Sequence, residues 1–174
     1  MTASLLSLDR TTPRPTGVGV VARIARAAGT VWLLDGLYVV VVFAGMLHAT
    51  TAQRIFQGIA RAVLGPPAFS GGATTTAIGV FMHFLVALSW SCVWAAVYES
   101  SAAIRRAVAS AGRALAVGVA YGVFVWLSMR YLVLPLTHSP PAGPIMARGT
   151  LLVLLAHITV IGPPIVLLER RRPV

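Results

Sequence analysis

Four long apolar segments separated by short polar ones dominate this chain of 174 residues. A helix that crosses a bilayer core requires about 20 consecutive, mainly apolar residues. The segments that reach this length predict membrane spans over residues 29–48, 77–98, 114–136 and 149–168. The predicted fold class is therefore an all-α membrane protein, a four-transmembrane-helix bundle that forms one integral-membrane domain over residues 1–174.

A shorter helix is predicted over residues 50–64, between the first two spans. Apolar side chains recur at helical spacing along one side of it, at Ile55, Phe56, Ile59, Ala62 and Val63. Polar side chains follow every four residues along another side, at Gln53, Gln57 and Arg61. Such an amphipathic helix lies in the membrane interface rather than across the bilayer.

The other segments carry weaker patterns. Residues 1–19 are polar and predict a flexible tail, and residues 20–28 predict an amphipathic turn or two whose Arg23 and Arg26 meet lipid headgroups. Residues 162–164, Gly-Pro-Pro, are expected to kink the fourth span or to end its regular part early, because proline lacks the backbone N–H of a helix.

Composition excludes a soluble fold and nucleic-acid binding. The chain is 57% hydrophobic and 10% charged, whereas soluble domains carry roughly 25% charged residues. Its net charge is +10. The basic residues are all arginines, and most of them lie between the apolar segments. A nucleic-acid partner would require a basic face on a soluble fold, so the expected partner is the lipid bilayer.

The arginines also predict the orientation. Ten lie on the side of the two termini, three lie on the side of the 50–64 helix, and Arg130 lies within a span. Since cytoplasmic loops are enriched in arginine and lysine, both termini are expected in the cytoplasm and the amphipathic helix on the outer face.

Four ionisable residues inside the spans are candidates for function, because such groups are costly in a bilayer. At a rise of 1.5 Å per residue, His83, Arg130 and His157 share a layer roughly 7–12 Å below the outer boundary. Asp35 is expected in the inner half, on the order of 10–15 Å away in depth, and so is not their obvious partner.

Two interpretations of this layer stay open. In the first, it forms a polar pocket or proton path in which Arg130 binds an anionic group and the histidines titrate. In the second, which we prefer, Arg130 contacts Trp126 through a cation–π interaction and the histidines bond backbone carbonyls. Asp35 would then stay protonated, or meet water and Arg23 or Arg26 near the inner interface.

Enzymatic and cofactor chemistry find little support. Cys92 is the only cysteine, and the only acidic residues are Asp9, Asp35, Glu99 and Glu169, so catalytic residues, metal ligands and cofactors are not expected. The similar depth of His83 and His157 would suit two axial haem ligands, but nothing else in the chain favours haem binding.

Two stretches resemble a family of small bacterial inner-membrane proteins, the YagU-like group. In that family an interfacial helix leads through a glycine-rich loop to a span that carries histidine. The matching residues here are Gln57, Ile59, Ala60, Leu64, Gly65, Ala68, Phe69, Gly71, Gly72 and His83, then Met129, Val133, Leu134, Pro135 and Leu136. Arg130 stands where the family carries asparagine. The resemblance implies a four-span protein of the bacterial inner membrane without an established activity.

The expected function is that of a non-enzymatic interaction or accessory component. The amphipathic helix and the spans rich in glycine and alanine would offer packing surfaces for a second copy or for a membrane partner protein. The alternative is a small-solute or proton transporter or channel that uses the outer layer of His83, Arg130 and His157.

Overall fold

The computed structural model describes residues 17–170, and within that range the chain forms helices and connecting loops without a strand. We number six helices in chain order: α1 Gly17–Met46, α2 Ala52–Leu64, α3 Gly72–Ser100, α4 Ala102–Ala107, α5 Ala111–Leu136 and α6 Arg148–Glu169. A short 3₁₀ turn, Pro66–Ser70, joins α2 to α3.

Four of these helices are long and apolar enough to cross a membrane. The helices α1, α3, α5 and α6 contain 30, 29, 26 and 22 residues. Their outward faces carry large apolar side chains such as Leu33, Phe81 and Phe124, which are 61%, 60% and 51% exposed. Surfaces of this kind are stable against lipid rather than water, and they indicate a multi-pass membrane protein, in agreement with the four predicted spans.

The first helix begins earlier than predicted. It is continuous from Gly17, so residues 17–19 are helical and residues 20–28 run straight into the span. Arg23 pairs with Glu99 of α3, and Arg26 donates to the Leu168 carbonyl of α6 at 2.7 Å. Both arginines thus have partners within the bundle, and their interaction with lipid headgroups stays a prediction. The rest of the predicted tail, residues 1–16, lies outside the described residues.

Side-chain hydrogen bonds from α1 to α3 and α6, together with an apolar core, hold the helices of the bundle together. Trp32 of α1 donates to the Val80 carbonyl of α3 at 3.3 Å, and Tyr38 of α1 donates to the Leu152 carbonyl of α6 at 2.8 Å. The core between the helices contains Val31, Trp94, Tyr121, Val125 and Ile165. We call the end that holds Gly17, Ser100 and Glu169 the tail end, and the end that holds α2 the loop end.

Helices α5 and α6 approach so closely that glycine is required between them. A Cβ atom on Gly118 would lie 2.6 Å from Cα of Pro163, and one on Gly122 would overlap the carbonyl oxygen of His157. Because a methyl group cannot occupy that space, these glycines fix the distance between the two helices.

Helix α2 has clear boundaries. Thr51 caps its first turn by accepting a hydrogen bond from the Arg54 amide at 3.2 Å, and Gly65 ends it with a φ of 71°. The face that packs on α3 includes a residue of the predicted polar side. Gln57 is only 2% exposed, and it donates to the Gly72 carbonyl at 3.2 Å, whereas Val63 points outward and is 62% exposed.

Helix α6 continues through its proline pair. The amide of Gly162 bonds the carbonyl of His157, five residues back, so residues His157–Ile161 form one wide π-helical turn. Regular α-helical geometry resumes from Gly162 to Glu169. Since Pro163 and Pro164 have no N–H to donate, the widened turn accommodates the missing bonds. The regular part of α6 thus ends at Ala156, before the proline pair, while the helix as a whole continues to Glu169.

Candidate polar site inside the helical bundle

Asp35 and His83 face each other across the interface of α1 and α3. The distance between Asp35 Oδ2 and His83 Nε2 is 3.7 Å, with 15% and 11% of the two side chains exposed. The sequence-based estimate that separated them in depth was therefore wrong. At this distance the two groups interact electrostatically without a direct hydrogen bond.

The error came from the bounds of both helices. The estimate used spans 29–48 and 77–98, whereas α1 runs from Gly17 to Met46 and α3 from Gly72 to Ser100. Counted from the loop end, Asp35 and His83 each lie about three helical turns inside the bundle. Gly36 lies beside the imidazole, where a Cβ would make an ordinary van der Waals contact, 3.6 Å from His83 Nε2.

His157 joins this pair around a small cavity. A cavity of about 150 Å³ is lined by Asp35, His83 and His157 together with apolar side chains of the core. The Nδ1 atom of His157 lies 2.8 Å from the Val153 carbonyl. A carbonyl only accepts, so Nδ1 carries the hydrogen and the neutral ring keeps Nε2 as an acceptor. The cavity therefore combines one carboxyl group with two imidazoles.

Arg130 lies outside this cavity but next to it. A second cavity of about 420 Å³ toward the loop end is lined by Arg130, Phe43 and Thr150, and it shares Met129 and His157 with the first. His157 thus stands between the two cavities. The structure brings Asp35, His83 and His157 together and leaves Arg130 one cavity further out.

The guanidinium of Arg130 is held by its surroundings. It lies over the rings of Trp126 and Tyr131, at 5.5 Å and 5.4 Å from their centroids, and donates to the Gly143 carbonyl. The contact with Trp126 is the one expected from their spacing of four residues. Its fixed charge faces the cavity of about 420 Å³, which we call the outer cavity. Arg130 does not line the cavity of Asp35, His83 and His157, which we call the central cavity.

Haem does not fit the central cavity. Ligand pockets commonly span roughly 300–1,000 Å³, and a cavity of about 150 Å³ is too small for a porphyrin between His83 and His157. His83 also turns its Nε2 toward Asp35 rather than into an open coordination position. The geometry thus argues against axial ligation by this histidine pair.

A wider cavity has a different character. It has a volume of about 1020 Å³, opens between α1, α2 and α3, and is lined mainly by apolar side chains, among them Trp32, Phe56 and Phe84. A wide apolar groove on the outside of a membrane bundle is filled by lipid chains. It lacks the convergent polar groups that mark a specific site, so the smaller central cavity is the stronger candidate.

A charged cluster at the tail end was missed from the sequence. Arg23 pairs with Glu99, and Glu169 lies nearby with 1% of its surface exposed. One signal could have revealed it: three of the four acidic residues of the chain, Asp35, Glu99 and Glu169, fall within or at the ends of the apolar segments.

Comparison with known proteins adds no relationship, because no protein-family model, curated protein or solved structure matches the chain. The resemblance to the YagU-like group stays a prediction. Functional inference therefore rests on the geometry of the polar site.

Proposed function

We propose that the protein conducts protons across the bacterial inner membrane through the cavity lined by Asp35, His83 and His157. The single observation that carries this proposal is the approach of Asp35 to His83 inside an apolar bundle. Isolated charges are costly at such a position, and groups that exchange protons with each other can remain neutral between transfers.

The size of the central cavity favours protons over larger solutes. A water molecule occupies roughly 30 Å³ of liquid, so a cavity of about 150 Å³ accommodates a few waters. Small-molecule ligands commonly require about 300 Å³ or more. Waters between a carboxyl group and two imidazoles supply both hydrogen-bond donors and acceptors, which proton transfer requires.

His157 links the central cavity to the outer one. Its Nε2 takes a proton from water in the outer cavity, while Nδ1 keeps its hydrogen on the Val153 carbonyl. The proton then passes through water to His83 or Asp35, and His157 returns to its neutral form. The fixed charge of Arg130 raises the electrostatic barrier for every cation at the outer cavity, so conduction is slow and excludes metal cations.

The orientation forms part of the proposal. In the sequence, ten arginines lie in the terminal segments and in the loop between the second and third spans, against three between the other spans, and this favours a cytoplasmic tail end. Helix α2 then lies at the outer face, where the outer cavity opens, and protons enter from that side.

The second candidate function is that of an interaction component, which was expected from the glycine-rich faces of the spans. Part of those faces already packs against other helices of the same chain. Gly79 packs against the Phe56 backbone, and Gly118 and Gly122 pack against α6. These small residues thus serve contacts between helices of one chain. A second copy or another membrane protein could still bind elsewhere, and that partner stays a prediction.

The test is proton flux into liposomes that contain the purified protein, followed with an internal pH dye under an imposed potential. We expect Asp35→Asn and His83→Gln each to lower flux at least about tenfold, because a positioned acid–base group contributes 10²–10⁴ to proton transfer. Ser89→Ala is the matched control, since Ser89 is exposed on α3 and bonds only its own helix, at the Leu85 carbonyl.

Thermal unfolding of each variant in detergent separates chemistry from folding. Lost flux with an unchanged unfolding midpoint supports proton conduction. Absence of flux in the natural protein, or full flux in both Asp35→Asn and His83→Gln, contradicts it. Equal loss of stability and flux would instead support a purely structural role for the Asp35–His83 pair.

A further inference from the structure

Buried polar atoms continue from the central cavity along the inner face of α3. Within residues 17–170, His83 Nε2, Ser91 Oγ and Trp94 Nε1 have no hydrogen-bond partner. Ser91 is 0% exposed and Trp94 is 3% exposed. The three positions share one helix face, and they extend about 16 Å from His83 toward the tail end.

Such atoms are not stable in an apolar core without partners. Buried polar groups that lack a protein partner are ordinarily bonded to ordered water, because their desolvation is otherwise uncompensated. The hydroxyl of Ser91 both donates and accepts, so it can relay a proton between waters, whereas the indole of Trp94 only donates and can only hold a water in place.

Glu169 lies at the tail end of the same bundle interior. It is 1% exposed, and its Oε1 has no hydrogen-bond partner in the described part of the chain. It ends α6 one turn after Ile165 and Val166, which belong to the same core cluster as Trp94. A buried carboxyl oxygen thus lies beyond Ser91 and Trp94, at the tail end of the line of buried polar atoms that begins at His83.

Several charged or titratable groups surround this carboxyl. Arg23 of α1, Glu99 of α3 and Tyr121 of α5 lie within its electrostatic reach. Arg23 already pairs with Glu99, Arg26 donates to the Leu168 carbonyl, and the Tyr121 hydroxyl donates to the Trp90 carbonyl at 2.6 Å. Glu169 is therefore not needed as the direct partner of Arg23, and a purely structural acid would be expected to be paired.

We propose that Glu169 is the inner proton acceptor of the path. It receives a proton relayed from the Asp35–His83 pair through water held at Ser91 and Trp94, and it releases that proton to the cytoplasm. Each group regains a proton from the preceding one, so one proton crosses per cycle and no group is consumed. This assignment rests on the proposed proton conduction.

The test compares variants in the same liposome assay. Glu169→Gln keeps the shape of the side chain and removes its titration, so flux is expected to fall at least about tenfold. Ser91→Ala is expected to lower flux as well, whereas Ser89→Ala, the same change on the outer face of α3, leaves it unchanged. Glu169→Asp keeps a carboxyl group and is expected to retain measurable flux.

A second measurement does not depend on transport. Infrared difference spectra between two pH values should contain a carboxylic-acid C=O band that disappears in Glu169→Gln and remains in Ser89→Ala. Spectra of Glu169→Gln and Ser89→Ala that match the spectrum of the natural protein in this region would show that the carboxyl of Glu169 does not titrate, and would overturn the assignment.

The outcomes distinguish the two proposals. Full flux in Glu169→Gln with lost flux in Asp35→Asn overturns the role of Glu169 and leaves proton conduction intact. Absence of flux in the natural protein overturns proton conduction and this assignment together. If Glu169→Gln and Glu169→Asp lose thermal stability equally and the infrared band is absent, Glu169 is structural.

Discussion

Asp35 shows how a single residue changes the energetics of an apolar helix. An unpaired carboxylate in a low-dielectric interior costs several kcal/mol after relaxation, and α1 supplies no basic neighbour within one turn of it. His83 on α3 is the group that approaches it, at 3.7 Å. The pair can hold its charges or remain neutral by moving one proton, which is why we assign it a functional role.

Gly122 is a residue whose size alone determines packing. We expect Gly122→Ala to lower the free energy of unfolding by about 1–3 kcal/mol, because the added methyl group overlaps the His157 carbonyl and forces α5 away from α6. Thermal unfolding in detergent measures this change.

Gly29→Ala serves as the control for that substitution. Gly29 also lies inside a long helix, but a Cβ there would have no atom within 4 Å. Alanine should therefore be neutral or stabilise by up to about 1 kcal/mol, through its higher helix propensity. Equal destabilisation by both substitutions would contradict a specific contact at Gly122.

At the scale of elements, α2 is fixed to the bundle by a polar contact as well as by apolar ones. Gln57 donates to the Gly72 carbonyl at 3.2 Å and to the Thr75 hydroxyl at 3.4 Å. Phe56 packs edge-on against His83, with the ring centroids 6.2 Å apart. The helix therefore lies against the start of α3 and covers the loop side of the polar site.

Gln57→Ala should weaken this attachment. We expect a loss of about 1–3 kcal/mol in the free energy of unfolding, because two buried hydrogen bonds disappear and a small void remains. Gln53→Ala, one turn earlier on an exposed position of α2, should change stability by less than about 0.5 kcal/mol. Similar values for the two variants would show that Gln57 does not anchor the helix.

The π-helical turn of α6 belongs to the same scale. The turn begins at His157, whose side chain lines both cavities. The carbonyl of His157 lies against Gly122 of α5. Wide turns of this kind are frequent at functional sites. Here the proline pair that follows explains the turn, and the position of His157 is its structural consequence.

For the whole molecule, the distribution of arginines predicts which end faces the cytoplasm. In a background with Cys92→Ser, the only cysteine of the chain is removed. Ser70→Cys then places a thiol on the exposed loop-end turn, and Ala103→Cys places one on exposed α4 at the tail end. We expect a membrane-impermeant maleimide to label Ser70→Cys in intact cells and Ala103→Cys only after permeabilisation.

The opposite labelling pattern would reverse the orientation while leaving the four-helix fold unchanged. Labelling of both thiols in intact cells would contradict an odd number of crossings between them. Denatured samples of each variant, labelled in parallel, control for expression and for intrinsic thiol reactivity.

The sequence by itself determined the number of the long helices and, except for the start of α1, their approximate bounds. A bilayer requires a minimum length of apolar helix with its backbone groups paired internally, and this constraint can be evaluated along a single segment. The same holds for the ends of α2, since the cap at Thr51 and the turn at Gly65 act within a few residues. The existence of a histidine in the second span and in the fourth was equally evident.

Only the tertiary structure decided which of these residues meet. The approach of Asp35 to His83 depends on where α1 begins relative to α3, and the burial of Gln57 depends on which face of α2 packs on α3. The contact of Gly122 with His157 depends on the wide turn in α6. These are relations between segments distant in the chain, and the hydrophobic pattern of one helix contains no information on its depth or rotation relative to another.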